Sequence, residues 1–354
     1  MNIPSSRSRI DWPDADRAAR FERWVDAFAP AHTIVASSLR PASSDASFRR
    51  YFRAELQAGD SVIVMDAPPP AEDVRPFVRV AGLIAAAGLN APSVLECDEA
   101  DGFLLLSDLG DEPYLASLQQ AVAANDGERI RSLMADAIAA LVRWQVGVVA
   151  VDLPPYDAAL LEREIDLFPE WCVRRHAGVV WSDAQTAAWA DARARLVASA
   201  LAQPTVAVHR DYMPRNLMVA SPNPGILDFQ DAVRGPIAYD VASLLRDAFL
   251  SWDEEQEIDW AVRYWEAARR AGLPVDADFG EFWRALEWMG LQRHLKVLGI
   301  FCRLNYRDGK PAYIADLPRF YGYAHKVASR YSTLRPLSRL LEPLMGATRQ
   351  EAFY

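Results

Sequence analysis

The sequence is poor in the residues that build metal and redox centres. It has three cysteines, Cys97, Cys172 and Cys302, and five histidines, all widely spaced. Odd, scattered cysteines fit reduced thiols rather than a disulfide framework, and neither residue type shows metal-ligand spacing, so no zinc site is expected. No apolar run approaches the length of a membrane span. Met1–Ile10 lacks the apolar segment of a secretory signal. These absences place the chain in the cytoplasm with no membrane partner. Positive charge is also scarce: 38 Lys and Arg stand against 48 Asp and Glu, a net charge of -10. Such a surface repels phosphate backbones, so nucleic acid is not an expected partner, although a local basic pocket for a nucleotide is compatible with it. There is no repeat or low-complexity tract, and nothing marks an obligate protein partner.

What is present is a chain of 354 residues, 51% apolar, long enough for two sizeable lobes. Phe21, Trp24, Val25 and Phe28 lie on one stripe and predict a helix over Asp16–Phe28. Ser43-Ser44-Asp45-Ala46-Ser47 carries turn chemistry. Arg49–Glu55 and Ser61–Met65 read as paired strands around Gln57-Ala58-Gly59-Asp60. A helix over Val74–Ala87 should stop at Gly88, and Ser93–Cys97 and Gly102–Leu106 read as two more strands. Beyond them helical spacing dominates, as in Ile130, Leu133, Met134, Ile138 and Leu141, or Trp288, Leu291, Leu295, Leu298 and Cys302. The expected architecture is α+β and bilobal. A small antiparallel-sheet lobe (1–106) is joined by a hinge (107–110) to a larger helical lobe (111–354), an arrangement suited to a ligand in a cleft.

The informative stretch is Thr205–Ala232. Thr205–Val208 reads as a strand, His209–Asn216 as a loop, and Leu217–Val219 with Gly225–Phe229 as a hairpin. Phosphoryl transfer needs a carboxylate near the acceptor hydroxyl and oxygen ligands for magnesium at the phosphates. Asp211 and Asn216 on one loop, with Asp228 on the following hairpin, supply that set, and Mg²⁺ needs few protein oxygens when phosphate supplies others. His209-Arg210-Asp211 with Asn216 completes the H-R-D-x-x-x-x-N pattern, and Asp228-Phe229-Gln230 falls where D-F-G is expected. Asp211 is the candidate base, and Asn216 and Asp228 are the candidate metal ligands. His209 reads as a loop-supporting residue and Asp240 as an acceptor that fixes the catalytic loop.

His209–Asn216, Ile226–Ala232 and Pro236–Leu244 resemble the aminoglycoside phosphotransferase-like kinases. Asp45–Arg53, Met65–Pro69, Leu105–Gly110, Gln292–Phe301 and Arg307–Lys310 are similar to the bacterial anomeric kinases of N-acetylmuramate and N-acetylglucosamine within that superfamily. The resemblance implies a protein-kinase-like fold with ATP and Mg²⁺ as cofactors. It implies transfer of the γ-phosphoryl group to the anomeric hydroxyl of an amino sugar in peptidoglycan recycling. It also places Ser44, Ala46, Ser47, Arg49, Arg53, Ser107, Asp108 and Leu109 at the nucleotide. Two departures matter: Met65 stands where a kinase carries its strand lysine, with no Glu on the following helix, and Ser43–Ser47 contains no glycine. Arg49, Arg50 and Arg53 are the candidate replacements, with Arg49, Tyr51 and Arg53 on one strand face.

For the acceptor, Tyr156 and Trp171 can stack on a sugar ring, although Trp171 also suits a core. Asp231 can meet sugar hydroxyls. Gln292, Arg293, Lys296 and Arg303 share one face of a helix, opposite its apolar stripe. They can receive a substrate carboxylate or pair with acids such as Asp253 and Glu254. A cationic acceptor (an aminoglycoside, choline or an amino alcohol) would want an acidic pocket instead. A nucleotide-binding pseudokinase is the reading from a different class.

Overall fold

The computed structural model describes residues 10–12, 14–44 and 48–345, the side chains of Ser43 and Ser44 aside. The secondary structure begins with α1 (Ala15–Phe28), β1 (Arg40–Ser44), β2 (Arg50–Glu55), β3 (Ser61–Asp66), α2 (Arg75–Ala86), β4 (Val94–Asp98) and β5 (Phe103–Ser107). It continues through α3 (Tyr114–Ala123), α4 (Gly127–Gly147), α5 (Ala158–Ile165), a π-helix (Phe168–His176), α6 (Asp183–Ala202) and β6 (Thr205–Val208). Next come β7 (Leu217–Met218), β8 (Gly225–Ile226), β9 (Val233–Pro236), α7 (Tyr239–Leu245), α8 (Glu254–Arg270), α9 (Phe279–Asp308), α10 (Leu317–Arg330) and α11 (Arg335–Leu341). The backbone divides into two units, Met1–Glu112 with Met218–Asp231, and Pro113–Leu217 with Ala232–Tyr354.

The first unit is built on one five-stranded antiparallel sheet in the order β1-β2-β3-β5-β4. Alternation along the strands sends Phe52, Ala54, Val62, Val64, Phe103 and Leu105 into one cluster with Phe21, Val25 and Phe28 of α1. The Asp14 carboxylate caps α1 by accepting from the Asp16 N–H at 2.9 Å. The other sheet face carries Tyr51 paired with Met65 and Arg53 paired with Ile63. Gly102 adopts φ 70, and a Cβ there would lie 2.1 Å from the Ala67 carbonyl oxygen. Only glycine allows that close turn, in which the Ala67 N–H reaches Gly102 O at 2.9 Å.

The second unit is helical, with β6 and β9 as its antiparallel strand pair. Its centre is α9, which packs against α6, α7, α10 and the π-helix. A Cβ on Gly299 would lie 2.4 Å from the Leu167 carbonyl carbon, so glycine permits the backbone at the start of the π-helix to approach α9. A Ser182/Gln185 capping box starts α6.

The α+β expectation is met, and three local expectations are corrected. Ser43 and Ser44, read as turn residues, end strand β1. The strand expected over Gly225–Phe229 stops at Ile226, and Asp228 takes φ 59, which no extended strand accommodates. Strand β9 was not anticipated.

Candidate active site

In the second unit the catalytic loop leaves β6, whose Val206, Ala207 and Val208 are buried. Asp240, in the first turn of α7, accepts from the His209 N–H at 2.7 Å and from the Arg210 N–H at 3.0 Å. Those bonds hold Arg210 at φ 77, in the left-handed region that a non-glycine residue rarely takes. His209 is buried, and its Nδ1 accepts from the Asp211 N–H at 3.3 Å. Asn216 donates from Nδ2 to the Asp211 carbonyl at 2.9 Å. The bond ties the amide nitrogen to the loop, so a metal would be taken by the amide oxygen.

The Asp211 carboxylate is 37% exposed, and its nearest cation is Arg293 Nη2 at 3.9 Å. Burial acts to raise its pKa, but Lys296, Arg293, Arg210 and His209 outweigh burial and hold the carboxyl below its ordinary range. Asp240 is the opposite case: burial pushes it up to about 7, against the two backbone N–H bonds. Beside the loop, Glu164 is buried and accepts from Lys296 Nζ at 3.0 Å, from Arg210 Nη2 and from the Tyr156 hydroxyl. Lys296 also donates to the Tyr239 hydroxyl at 3.1 Å.

The stripe on α9 is therefore not a surface. Gln292, Arg293 and Lys296 are buried, with Glu164 and Asp211 as the acids beside the two cations. Glu254 pairs with Arg330 and Lys326 instead. Arg303 lies further along the helix among Arg307, Asp308 and Glu170. Tyr156, read as a stacking ring, is buried and packs edge-on to Tyr239 at 5.4 Å. Trp171 packs against the helical core. A cavity of 440 Å³ lined by Gln203, Phe282 and Trp288 contains none of these groups.

In the first unit Asp228 accepts from Gln230 Nε2 at 2.9 Å and lies 3.6 Å from Arg49 Nη2. Arg49 Nε lies 3.7 Å from Glu72, which also accepts from the Phe48 N–H at 3.2 Å. Phe229 is buried against Phe77. Asp231 meets Gln230 Nε2 at 3.5 Å. Met65 is buried on the sheet face that also carries Arg53. Arg53 is engaged by Asp108, through Nε at 2.5 Å and Nη2 at 3.0 Å, and by Gly110 O at 2.8 Å. Ser61 Oγ donates to the same Asp108 carboxylate at 2.7 Å. Ser107 Oγ accepts from the Ser93 N–H at 2.8 Å. Leu109 packs on Gly225, where a Cβ would lie 2.8 Å from its side chain. Arg50 pairs with Asp66 at 2.6 Å, which Arg17 also binds. Of the residues placed at the nucleotide, Ala46 and Ser47 lie outside the described residues, and Ser44 is described by its strand backbone alone.

Glu72 and Glu164 contact the candidate residues, and sequence reasoning gave neither of them a role. Glu72 precedes α2, so a search for an acid on the helix passed over it. Glu164 sits in α5, and no motif marks it. Among the described residues no group of three or more His, Cys, Asp or Glu could hold a metal ion, and no helix is long and apolar enough to cross a membrane.

The loop after β6 is ordered by Asp240 and carries Asp211, an aspartate held below its ordinary acidity range. The chain belongs to the phosphotransferase enzyme family, matching it over residues 38–279. It is similar to the N-acetylmuramate/N-acetylglucosamine kinase of Pseudomonas putida, 50% identical over 316 residues that span 89% of this chain and 91% of that one. The kinase of the same name from Pseudomonas aeruginosa is 49% identical over 337 residues, spanning 92% and 97% of the two chains. Among solved structures, a choline/ethanolamine kinase family protein from Mesorhizobium loti is similar with a TM-score of 0.58 at 16% identity, covering 93% of this chain and 99% of that one. That likeness carries the fold, which is protein-kinase-like.

Proposed function

We propose that the chain is a cytoplasmic, ATP-dependent kinase that transfers the γ-phosphoryl group to the anomeric hydroxyl of N-acetylmuramate and N-acetylglucosamine, a step of peptidoglycan recycling. The observation that carries this reading is Asp211, a half-buried carboxylate kept ionised by the cations around it. The curated relatives' shared name supports the choice of sugar. Asp211 accepts the proton of the anomeric hydroxyl, which is more acidic than an ordinary alcohol, so a base with a depressed pKa suffices. Arg293 is the α9 cation nearest the base and the best placed to meet a carboxylate on the acceptor. Asp231 is assigned to sugar hydroxyls.

Asn216 and Asp228 offer hard oxygen donors, which fit Mg²⁺. Held by these residues, Mg²⁺ would supply charge neutralisation at the transferring phosphoryl group. Arg49, braced by Glu72, supplies the phosphate-binding cation that Met65 cannot. Arg53 and Asp108 brace the 107–110 segment, where the backbone of Ser107–Leu109 is assigned to the nucleotide base.

The test is ADP release over a panel of free sugars, aminoglycosides and choline, with the product read by phosphorus NMR. An anomeric phosphate on an N-acetylhexosamine is the expected product, and turnover of an antibiotic alone would refute the choice of acceptor. Asp211→Asn should lower kcat by about 10²–10⁴-fold, the worth of a positioned base. A nucleotide binder without turnover would be indifferent to it.

A further inference from the structure

Asp211 is faced by Arg293 and Lys296 from α9, by Arg210 and His209 from its own loop, and by the buried Asp240 from α7. Three permanent cations thus crowd one carboxylate. Yet no hydrogen bond to that carboxylate is present among the described residues, and the Arg293 contact at 3.9 Å is too long to be one. The reason lies in Glu164. This residue is 6% exposed, and its carboxylate takes Lys296 at 3.0 Å, the Arg210 guanidinium and the Tyr156 hydroxyl. Its acidity is set by burial, which Lys296 and Arg210 outweigh, so it stays ionised. Two of the three cations around the base are therefore already paired.

We propose that Glu164 is a positioning residue of the phosphoryl transfer: by binding Lys296 and Arg210 it keeps them off Asp211 and leaves the base's carboxylate open to the acceptor hydroxyl. The inference rests on Asp211 being the base. Without Glu164, the buried Lys296 and the part-buried Arg210 lose their counter-charge, and an uncompensated buried charge is costly enough to drive rearrangement. Asp211 follows Arg210 directly in the chain and lies 3.9 Å from Arg293, about one turn before Lys296 on α9, so it becomes their partner. A base locked in such an ion pair has its oxygens occupied and accepts a proton less readily. Glu164 also bonds the side chain of Arg210, whose backbone is held at φ 77, and so helps to fix the residue that presents Asp211.

The experiment is a double-mutant cycle read as kcat and KM with ATP and N-acetylglucosamine, with melting curves for each variant. Glu164→Gln should lower kcat by roughly 10–100-fold with little change in the KM for ATP, as the cations settle on Asp211. Lys296→Met alone should lower kcat less than Glu164→Gln does, since Arg210 still holds Glu164. Combining the two should restore about tenfold of the lost kcat, with the KM for ATP little changed in all three variants. Glu164→Asp, which keeps the charge, should retain most of the activity. A double variant no better than Glu164→Gln, or a rise in the KM for ATP that accounts for the lost activity, overturns the proposal. Should Glu164→Gln alone fail to fold, the double variant decides. Recovered turnover supports the proposal, whereas an inactive or unfolded double variant refutes it, because removing both charges should relieve the cluster. Failure of the underlying reading would look different: Asp211→Asn would keep full turnover.

Discussion

Asp211 and Asp240 lie at one junction of loop and helix, yet their acidities diverge, one held below the ordinary range and the other pushed up to about 7. Three cations separate them, not sequence. The H-R-D-x-x-x-x-N spacing locates Asp211 because the loop's own hydrogen bonds require that spacing. It says nothing of Lys296 or Glu164, which reach the site from distant helices. Arg49 was singled out by strand alternation, although β2 begins one residue later at Arg50, whereas its brace Glu72 was not, because it precedes α2. If Arg49 is the phosphate-binding cation, Arg49→Met should raise the KM for ATP by about tenfold or more, the worth of one charge-assisted contact. The KM for the sugar should stay unchanged, and Arg49→Lys should recover part of the loss. Initial rates at varied ATP check this, and an equal rise in both KM values would count against it.

At the scale of elements, helices and central strands were readable because burial imposes a period. The α1 stripe and the β2–β3 pair stand where periodicity put them. Strands β1 and β9 were hidden because they carry Pro41, Gly235 and Pro236, residues that normally signal turns, and β1 tolerates its proline as an edge strand with a bulge. The α9 stripe misled for another reason. A helical wheel separates polar from apolar faces, but it does not reveal that α9 is covered on both, so its cations had to find buried partners. That central position makes Gly299 a sensitive point. Gly299→Ala would set a methyl 2.4 Å from the Leu167 backbone, which cannot yield as a flexible side chain can. The expected cost is about 1–3 kcal/mol from overpacking. It should appear as a Tm lower by several degrees in calorimetry, and an unchanged Tm would mean that the π-helix shifts freely.

At the scale of the whole molecule, buried titratable groups set how stability varies with pH. Burial raises Asp240 to about 7 and Asp247 to about 6. In the unfolded chain both titrate near 3.9. Between those values the folded state binds protons that the unfolded state has released, so each contributes stability at low pH that is lost as pH rises through its folded pKa. His294 works the other way. Burial, with Arg246 and Arg293 nearby, keeps it neutral well below its ordinary pKa, so the unfolded chain gains a proton there that the folded chain does not. Asp211 and Glu164, with depressed pKa values, act only below the ordinary carboxylate range. From about pH 5 to pH 6 two aspartates therefore oppose one histidine, and the net is about one proton favouring the folded state. Stability should fall by about 1 kcal/mol per pH unit as pH rises through that window, read as a lower urea midpoint. His294→Leu removes the opposing group and should steepen the fall. A midpoint that rises with pH in the same window would mean that Asp240 and Asp247 remain ionised where they are buried.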